Sequence, residues 1–282
     1  MRFKLLGPLE IVMDDESTVI LSASKLGQVL GLLLIRSNEI VSVDSLLQEL
    51  WGDEPPRSAL TTLQTYVYHA RRMFAREGFA ATRTLLVTRP RGYLIEVEPD
   101  EVDAKVFERL VKQGRALLDE SRTEEASDRL RTALDMWRGP ALASISVGEV
   151  LQAHVAHLGE LRIRAVELRI QAEKQLGRHR ELIPELRSLV VAYPLNEWFH
   201  GQLINALYRS GRRAEALQAY QNLRRILKEE LGVEPTAEIQ RLQQEVLNPG
   251  PERRARNHVN AYGDPASGLA PHHPHEVQAS AF

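Results

Sequence analysis

Residues 51–74 read WGDEPPRSALTTLQTYVYHARRMF, and the fold of the chain turns on them. Pro55 and Pro56 end whatever helix carries Trp51, because proline has no backbone donor and keeps the residue before it extended. From about Arg57 the pattern predicts a new helix running to about Arg76. At about 100° per residue, Leu60, Leu63, Val67, Ala70 and Phe74 gather on one narrow face, expected to pack inward. Thr61, Thr65, Tyr68, His69 and Arg72 fall on the opposite face, with Thr62, Gln64 and Arg71 on its flanks. That outward face offers hydroxyls, an amide, a phenol, an imidazole and guanidinium groups, which suit phosphate oxygens and base edges. A solvated surface helix is the plainer reading of an amphipathic pattern. Against it, no acidic residue lies between Arg57 and Arg76.

Upstream, Ser42 or Asp44 caps a shorter helix holding Leu46, Leu47, Leu50 and Trp51, stopped by Gly52–Pro56. A short helix, a tight loop and a longer helix with a polar outer face follow helix-turn-helix logic. Before them, Ser24 caps a helix from about Lys25 to Arg36 that turns Leu26, Val29, Leu30, Leu33 and Leu34 inward. Earlier still, Phe3, Leu5, Leu9, Ile11 and Met13 alternate around Gly7-Pro8, and Val19-Ile20-Leu21 follows an acidic turn, which predicts short antiparallel strands. Downstream, Leu85–Thr88 and Tyr93–Val97 flank Arg89-Pro90-Arg91-Gly92, a hairpin with a basic tip. Beside a basic helix, such a hairpin is a wing that suits the minor groove or the backbone. Charge follows the same division. Residues 1–56 hold four Lys/Arg and nine Asp/Glu, net −5, while residues 57–97 hold seven Arg and two Glu, net +5.

From Asp103 the helical period takes over. Phe107, Leu110, Val111, Gly114, Leu117 and Leu118 form one stripe, and Ser121-Arg122-Thr123-Glu124 reads as a capping box opening the next helix. A long helix is expected from Glu149 to Leu176, ended by Gly177, with shorter helices at about 179–192, 196–210, 213–231 and 236–247. Paired helices suggest repeats, and Ala216 followed four residues on by Tyr220 matches the small-then-aromatic step of a tetratricopeptide repeat; a generic helical bundle remains open. The expected organisation is an α+β winged helix-turn-helix over 1–97, an all-α tetratricopeptide-like domain over 98–247, and a tail over 248–282. The tail, with five Pro and the run Pro271-His272-His273-Pro274-His275, is expected to be disordered.

The bulk composition excludes several classes. The 282 residues carry no cysteine, so there is no disulfide framework, thiolate metal site or thiol nucleophile. No run approaches the ~18 apolar residues of a membrane span, nor does the start resemble a signal peptide, and a cytoplasmic protein is expected. No nucleophile elbow or dinucleotide loop appears. His154 and His157 sit three apart without a third ligand, Glu149, Glu160 and Glu167 read as solvated helix charges, and Trp51, Trp137 and Trp198 as core anchors. No catalytic residue, cofactor or metal site is expected.

Residues 1–97 resemble the winged helix of the OmpR/PhoB type, the output domain of phosphorelay regulators, carried by WGDEPPRSALTTLQTYVYHARRMF. Residues 104–247 resemble the bacterial transcriptional activation domain, carried by LRTALDMWRGPAL at 130–142 and YPLNEWFHGQLINALYRSGRRAEALQAYQNLRRILKEELGVEP at 193–235. In this order the two resemble a small member of the Streptomyces antibiotic regulatory protein (SARP) family. The resemblance implies an activator of a secondary-metabolite gene cluster that binds direct repeats in double-stranded promoter DNA near the −35 region. It implies a dimer or side-by-side protomers on DNA, recruitment of RNA polymerase holoenzyme through its sigma factor and other subunits, and a place at the nucleoid. DNA contact is then expected from Thr61, Thr62, Gln64, Thr65, Tyr68, His69, Arg71 and Arg72 on the recognition helix. Arg89 and Arg91 inherit the wing role, and Ser24, Lys25 and Arg57 at helix starts are added to the contact set. No GxxxxGK[ST] loop occurs and no receiver-type segment precedes the winged helix, so neither an ATPase nor aspartyl phosphorylation is expected. The same face would serve a repressor or a small-molecule-gated regulator.

Overall fold

The structure is a computed structural model that describes residues 1–76 and 85–248; the expected disordered tail from residue 249 onward lies outside the described residues. The chain begins with three strands, β1 (Arg2–Lys4), β2 (Glu10–Val12) and β3 (Thr18–Ile20), paired antiparallel in that order with Phe3 opposite Ile11 and Ile11 opposite Val19. An Asx turn closes the β2–β3 loop: Asp15 Oδ1 accepts from the Ser17 amide at 3.0 Å and its hydroxyl at 2.6 Å. Helix α1 (Lys25–Ile35) starts at Ser24, whose hydroxyl accepts from the Gly27 amide at 3.1 Å. It is buried nearly all round, with Leu30, Leu32, Leu33 and Leu34 fully inside. Ser42 caps α2 (Val43–Trp51) in the same way at 3.1 Å. Helix α3 (Ala59–Arg76) follows the two prolines. A second sheet, β4 (Val41–Ser42), β5 (Leu86–Arg89) and β6 (Gly92–Ile95), has the order β4-β6-β5. Asn38, in the left-handed region at φ 66°, fastens the end of α1 to β6. Its side chain donates to the Val97 carbonyl at 2.7 Å and accepts from the Val97 amide at 3.0 Å.

The expected division at 97/98 is one of residue pattern, whereas packing joins residues 1–178 into one compact unit. Three helices, α4 (Asp103–Asp119), α5 (Thr123–Leu134) and α6 (Glu149–Gln175), share a core with the first sheet and α1. Backbone joins backbone at this seam. The Arg138 and Leu142 amides donate to the Leu6 and Leu5 carbonyls at 2.8 and 2.9 Å. Asp103 accepts from the Leu5 and Leu6 amides at 2.6 and 3.1 Å, and the Ser144 hydroxyl both accepts from Leu9 at 2.9 Å and donates to Leu21 at 2.7 Å. Burial pushes the Asp103 carboxyl above its ordinary value; the two amides and the Arg138 guanidinium act against that. Deeper in, the buried Ser127 hydroxyl donates to Glu173 at 2.5 Å and ties α5 to α6.

From His179 onward a second unit holds α7 (His179–Ala192), α8 (Glu197–Arg209), α9 (Arg213–Leu231) and α10 (Ala237–Leu247). Ala216 and Tyr220 are both buried, as the repeat step requires. Gly201 on α8 leaves room for Ile239 of α10, which a Cβ there would meet at 2.7 Å.

The turn at Ser121 corrects the sequence expectation. Ser121 does not cap α5, whose N-cap is Arg122 without a side-chain bond. It ends α4 instead, in the left-handed region at φ 61°, with its amide on Leu118 and the Arg122 amide on Leu117. That is a Schellman ending. Gly177-Arg178 and Gly211-Arg212 repeat it with the same bonds, and each of the three arginines reaches a glutamate: Glu125, Glu173 and Glu215. The recurring small-residue–Arg pair is the repeat signal the sequence carried unread. Because a left-handed residue costs a non-glycine side chain, Ser121→Gly is expected to raise stability by about 0.5–1 kcal/mol, read as an increased denaturation midpoint at unchanged m-value.

Candidate nucleic-acid interface

Ala59, Leu63, Val67, Ala70 and Phe74 form the buried face of α3, with Phe74 edge-on to Phe3 at 6.4 Å between ring centroids. Leu60, expected inward, is 49% exposed. Ala59 takes the core position because the four-residue step back from Leu63 lands there, not on Leu60. A small residue is a weak apolar signal in sequence, and the larger leucine beside it drew the assignment.

The opposite face is as expected. Thr61, Gln64, Thr65, Tyr68, His69, Arg71 and Arg72 are all exposed, and Thr62 is half-buried. Tyr68 is 55% exposed and meets His69 edge-on at 5.7 Å. The Thr65 hydroxyl donates back to the Thr61 carbonyl at 3.0 Å, which leaves its lone pairs outward. Arg57 is exposed just ahead of the helix, in the turn that the two prolines impose.

Three of the expected cationic contacts are committed within the fold. Arg71 Nε donates to the Leu86 carbonyl at 3.1 Å and its Nη2 to the Thr88 hydroxyl at 2.8 Å. Arg89 pairs across the hairpin with Glu96 at 2.8 Å. Lys25 donates to the Leu50 carbonyl and lies over the Trp51 ring, 5.8 Å from its centroid. Ser24 is spent on capping α1. These groups hold the helix-turn-helix and the wing together, and no local pattern distinguishes such an arginine from a ligand-facing one. Arg91 differs from them. It sits in the two-residue β5–β6 loop at φ 63°, exposed, with no ion pair among the described residues. An arginine costs more backbone strain here than glycine would. Gly92 beside it packs so close to Val41 that a Cβ would collide with the Val41 carbonyl oxygen.

Sequence reasoning also missed Glu49. It lies on the inward side of α2, 2% exposed, and accepts from the Gly148 amide at 2.6 Å and the Leu151 amide at 2.8 Å. It is the N-terminal cap of α6, supplied from the helix-turn-helix.

Two family models match the chain: "Transcriptional regulatory protein, C terminal" over residues 17–95 and "Bacterial transcriptional activator domain" over residues 102–247. The regulatory protein DnrI of Streptomyces peucetius is 40% identical over 255 residues, covering 89% of this chain and 93% of DnrI. The chain belongs to the Streptomyces antibiotic regulatory protein family. Other relatives are longer. The transcriptional regulator RedD of Streptomyces coelicolor is 36% identical, with 71% of its length covered. The regulatory protein AfsR of the same organism is 35% identical, and the chain spans only 24% of it. The solved structure of Mycobacterium tuberculosis EmbR in complex with a low-affinity phosphopeptide superposes with a TM-score of 0.80 at 30% identity, covering 92% of this chain and 69% of that one.

As a SARP, the chain is a transcriptional activator with an OmpR/PhoB-type winged helix followed by an all-α tetratricopeptide-like domain, and its relatives are regulators. Among the described residues no helix is long and apolar enough to cross a membrane, and no group of three or more His, Asp or Glu is placed to hold a metal ion.

Proposed function

We propose that this SARP is a sequence-specific activator of an antibiotic biosynthetic gene cluster. It binds direct repeats near the promoter −35 region as side-by-side protomers and recruits RNA polymerase holoenzyme through the sigma factor and other subunits, in the cytoplasm at the nucleoid. The observation that carries the reading is the outer face of α3. Thr61, Gln64, Thr65, Tyr68, His69 and Arg72 lie exposed on one side of an 18-residue helix free of acidic side chains, next to a hairpin that presents Arg91. Gln64 suits an adenine edge, Arg72 a guanine or a phosphate, and the threonine methyl groups a thymine methyl. Arg57 and Arg91 suit the backbone on either side. Footprinting of the full chain on its promoter, with and without RNA polymerase, tests all parts together. Two protected repeats on one face of the duplex, extended downstream when polymerase is added, are expected. Protection no stronger than on scrambled DNA would reject the reading.

One observation favours a small-molecule-gated variant. A cleft of about 360 Å³ opens between β1 and the helical segments, lined by Arg2, Lys4, Asp103, Val106, Met136 and Arg138. It is large enough for a metabolite. Its Arg138, however, is already engaged, with Glu10 at 2.7 Å and with Asp103 at 3.7 Å. Calorimetric titration with pathway metabolites separates the two: the plain activator gives no specific heat.

A further inference from the structure

We propose that Arg71 is a positioning residue that braces the wing on the recognition helix, and not a reader of DNA. The functional part of this inference rests on the DNA-binding reading above. The brace itself is visible without DNA.

Strand β5 is the outer strand of the β4-β6-β5 sheet, so its far edge has no neighbouring strand among the described residues. Alternate residues of a strand point their carbonyls to the same edge. Leu85 turns its carbonyl to the Glu96 amide at 2.8 Å, within the hairpin, and Leu86 therefore turns outward. There it meets Arg71 Nε at 3.1 Å, while Thr88, two residues on, meets Nη2 at 2.8 Å. One planar guanidinium thus spans two residues of the exposed edge, a role that lysine, with a single ammonium, does not fill. Thr88 pairs with Tyr93, and Arg89 with Gly92, so the fixed stretch runs straight into the Pro90–Arg91 loop. Arg89 is held by Glu96 on the same hairpin. The side chain left to the ligand at the tip is Arg91, and its height over α3 is set by Arg71. A wing held in place binds more tightly than a loose one, because less freedom is lost on contact.

The test uses the full chain and a promoter fragment, with binding followed by fluorescence anisotropy over a salt series. Thr88→Val removes one acceptor of the brace and changes no charge. It is expected to weaken binding about threefold, and Arg71→Ala about tenfold. Arg71→Lys keeps the charge and loses the fork; it should resemble the alanine variant. In an Arg91→Ala background all three should be nearly silent, since the wing contact is already gone. The slope of log affinity against log salt should fall by about 0.9 for Arg91→Ala and by no more in the Arg71→Ala/Arg91→Ala double variant. Wild-type affinity for Thr88→Val, wild-type affinity for Arg71→Lys, or full additivity of Arg71→Ala with Arg91→Ala would each overturn the proposal in favour of direct contact. A second measurement needs no DNA. Hydrogen exchange at the Val87 and Leu94 amides should accelerate in Arg71→Ala and Thr88→Val, and unchanged exchange overturns the brace. Accelerated exchange in a protein that ignores promoter DNA would instead sink the DNA-binding reading and leave the brace standing.

Discussion

Glu49→Ala is expected to destabilise the unit of residues 1–178 by about 2–4 kcal/mol, lowering its calorimetric transition by roughly 5–15 °C. The Gly148 and Leu151 amides open α6 and have no helical partner of their own; both carboxylate oxygens of Glu49 are taken up by them, at 2.6 and 2.8 Å. Alanine leaves two donors unpaired, the Leu151 amide fully buried and the Gly148 amide partly so, and removes a negative charge from the positive end of a 27-residue helix. Glu49→Gln is expected to recover only part of the loss. One of its two positions would be an NH2 group, which faces an amide hydrogen with another hydrogen. Gly148→Ala attacks the same joint from the other side, since a Cβ there would collide with the Glu49 carbonyl oxygen. It should cost a comparable amount, because α2 and α6 must move apart. Gly159→Ala supplies the contrast within α6. A Cβ at that position meets nothing, so the better helix former should stabilise by about 0.5–1 kcal/mol. Opposite signs for two glycine-to-alanine changes in and just before one helix would be hard to obtain unless Glu49 and Gly148 close the seam as described. Equal melting of Glu49→Ala and wild type would remove Glu49 from that role.

The second large effect concerns DNA. Tyr68→Ala and Arg72→Ala should both weaken promoter binding, in different ways. Tyr68 stands proud in the middle of the recognition face and carries no charge, so its loss should cost specific binding about 10- to 100-fold and leave binding to competitor DNA nearly unchanged. Arg72 carries a charge two turns from Thr65. Its loss should weaken specific and non-specific binding together and flatten the salt dependence by close to one phosphate contact. A competitor titration at two salt concentrations reads both quantities. Should Tyr68→Ala reduce specific and non-specific binding equally, the base-reading role of this face would be wrong.

Much of the architecture was readable from residue order. The expected bounds of the helices from Glu149 to Leu247 agree with the structure to within a residue or so, because glycine, proline and asparagine punctuate them. The hairpin around Pro90-Arg91 was equally plain, and so was the two-sided character of the segment after Pro56. Where the reading slipped on the elements, the cause was local. Leu60 gave up the core to Ala59, and Ser121 ended a helix that it had been expected to leave behind. Lys25, Arg71 and Arg89 appeared as candidates for DNA contact on charge and position, and each has a partner elsewhere in the fold: Leu50, then Leu86 with Thr88, then Glu96.

The order of residues alone determined that a polar-faced helix would follow a proline stop and precede a basic hairpin, since period, caps and turn chemistry are local. Only the tertiary structure decided which guanidinium groups are engaged within the fold, and that a glutamate of the helix-turn-helix would cap a helix whose N-cap residue lies 99 residues further on. Hydrogen-bond partners that far apart are chosen by how the core packs, and packing leaves no mark on the spacing of neighbouring residues.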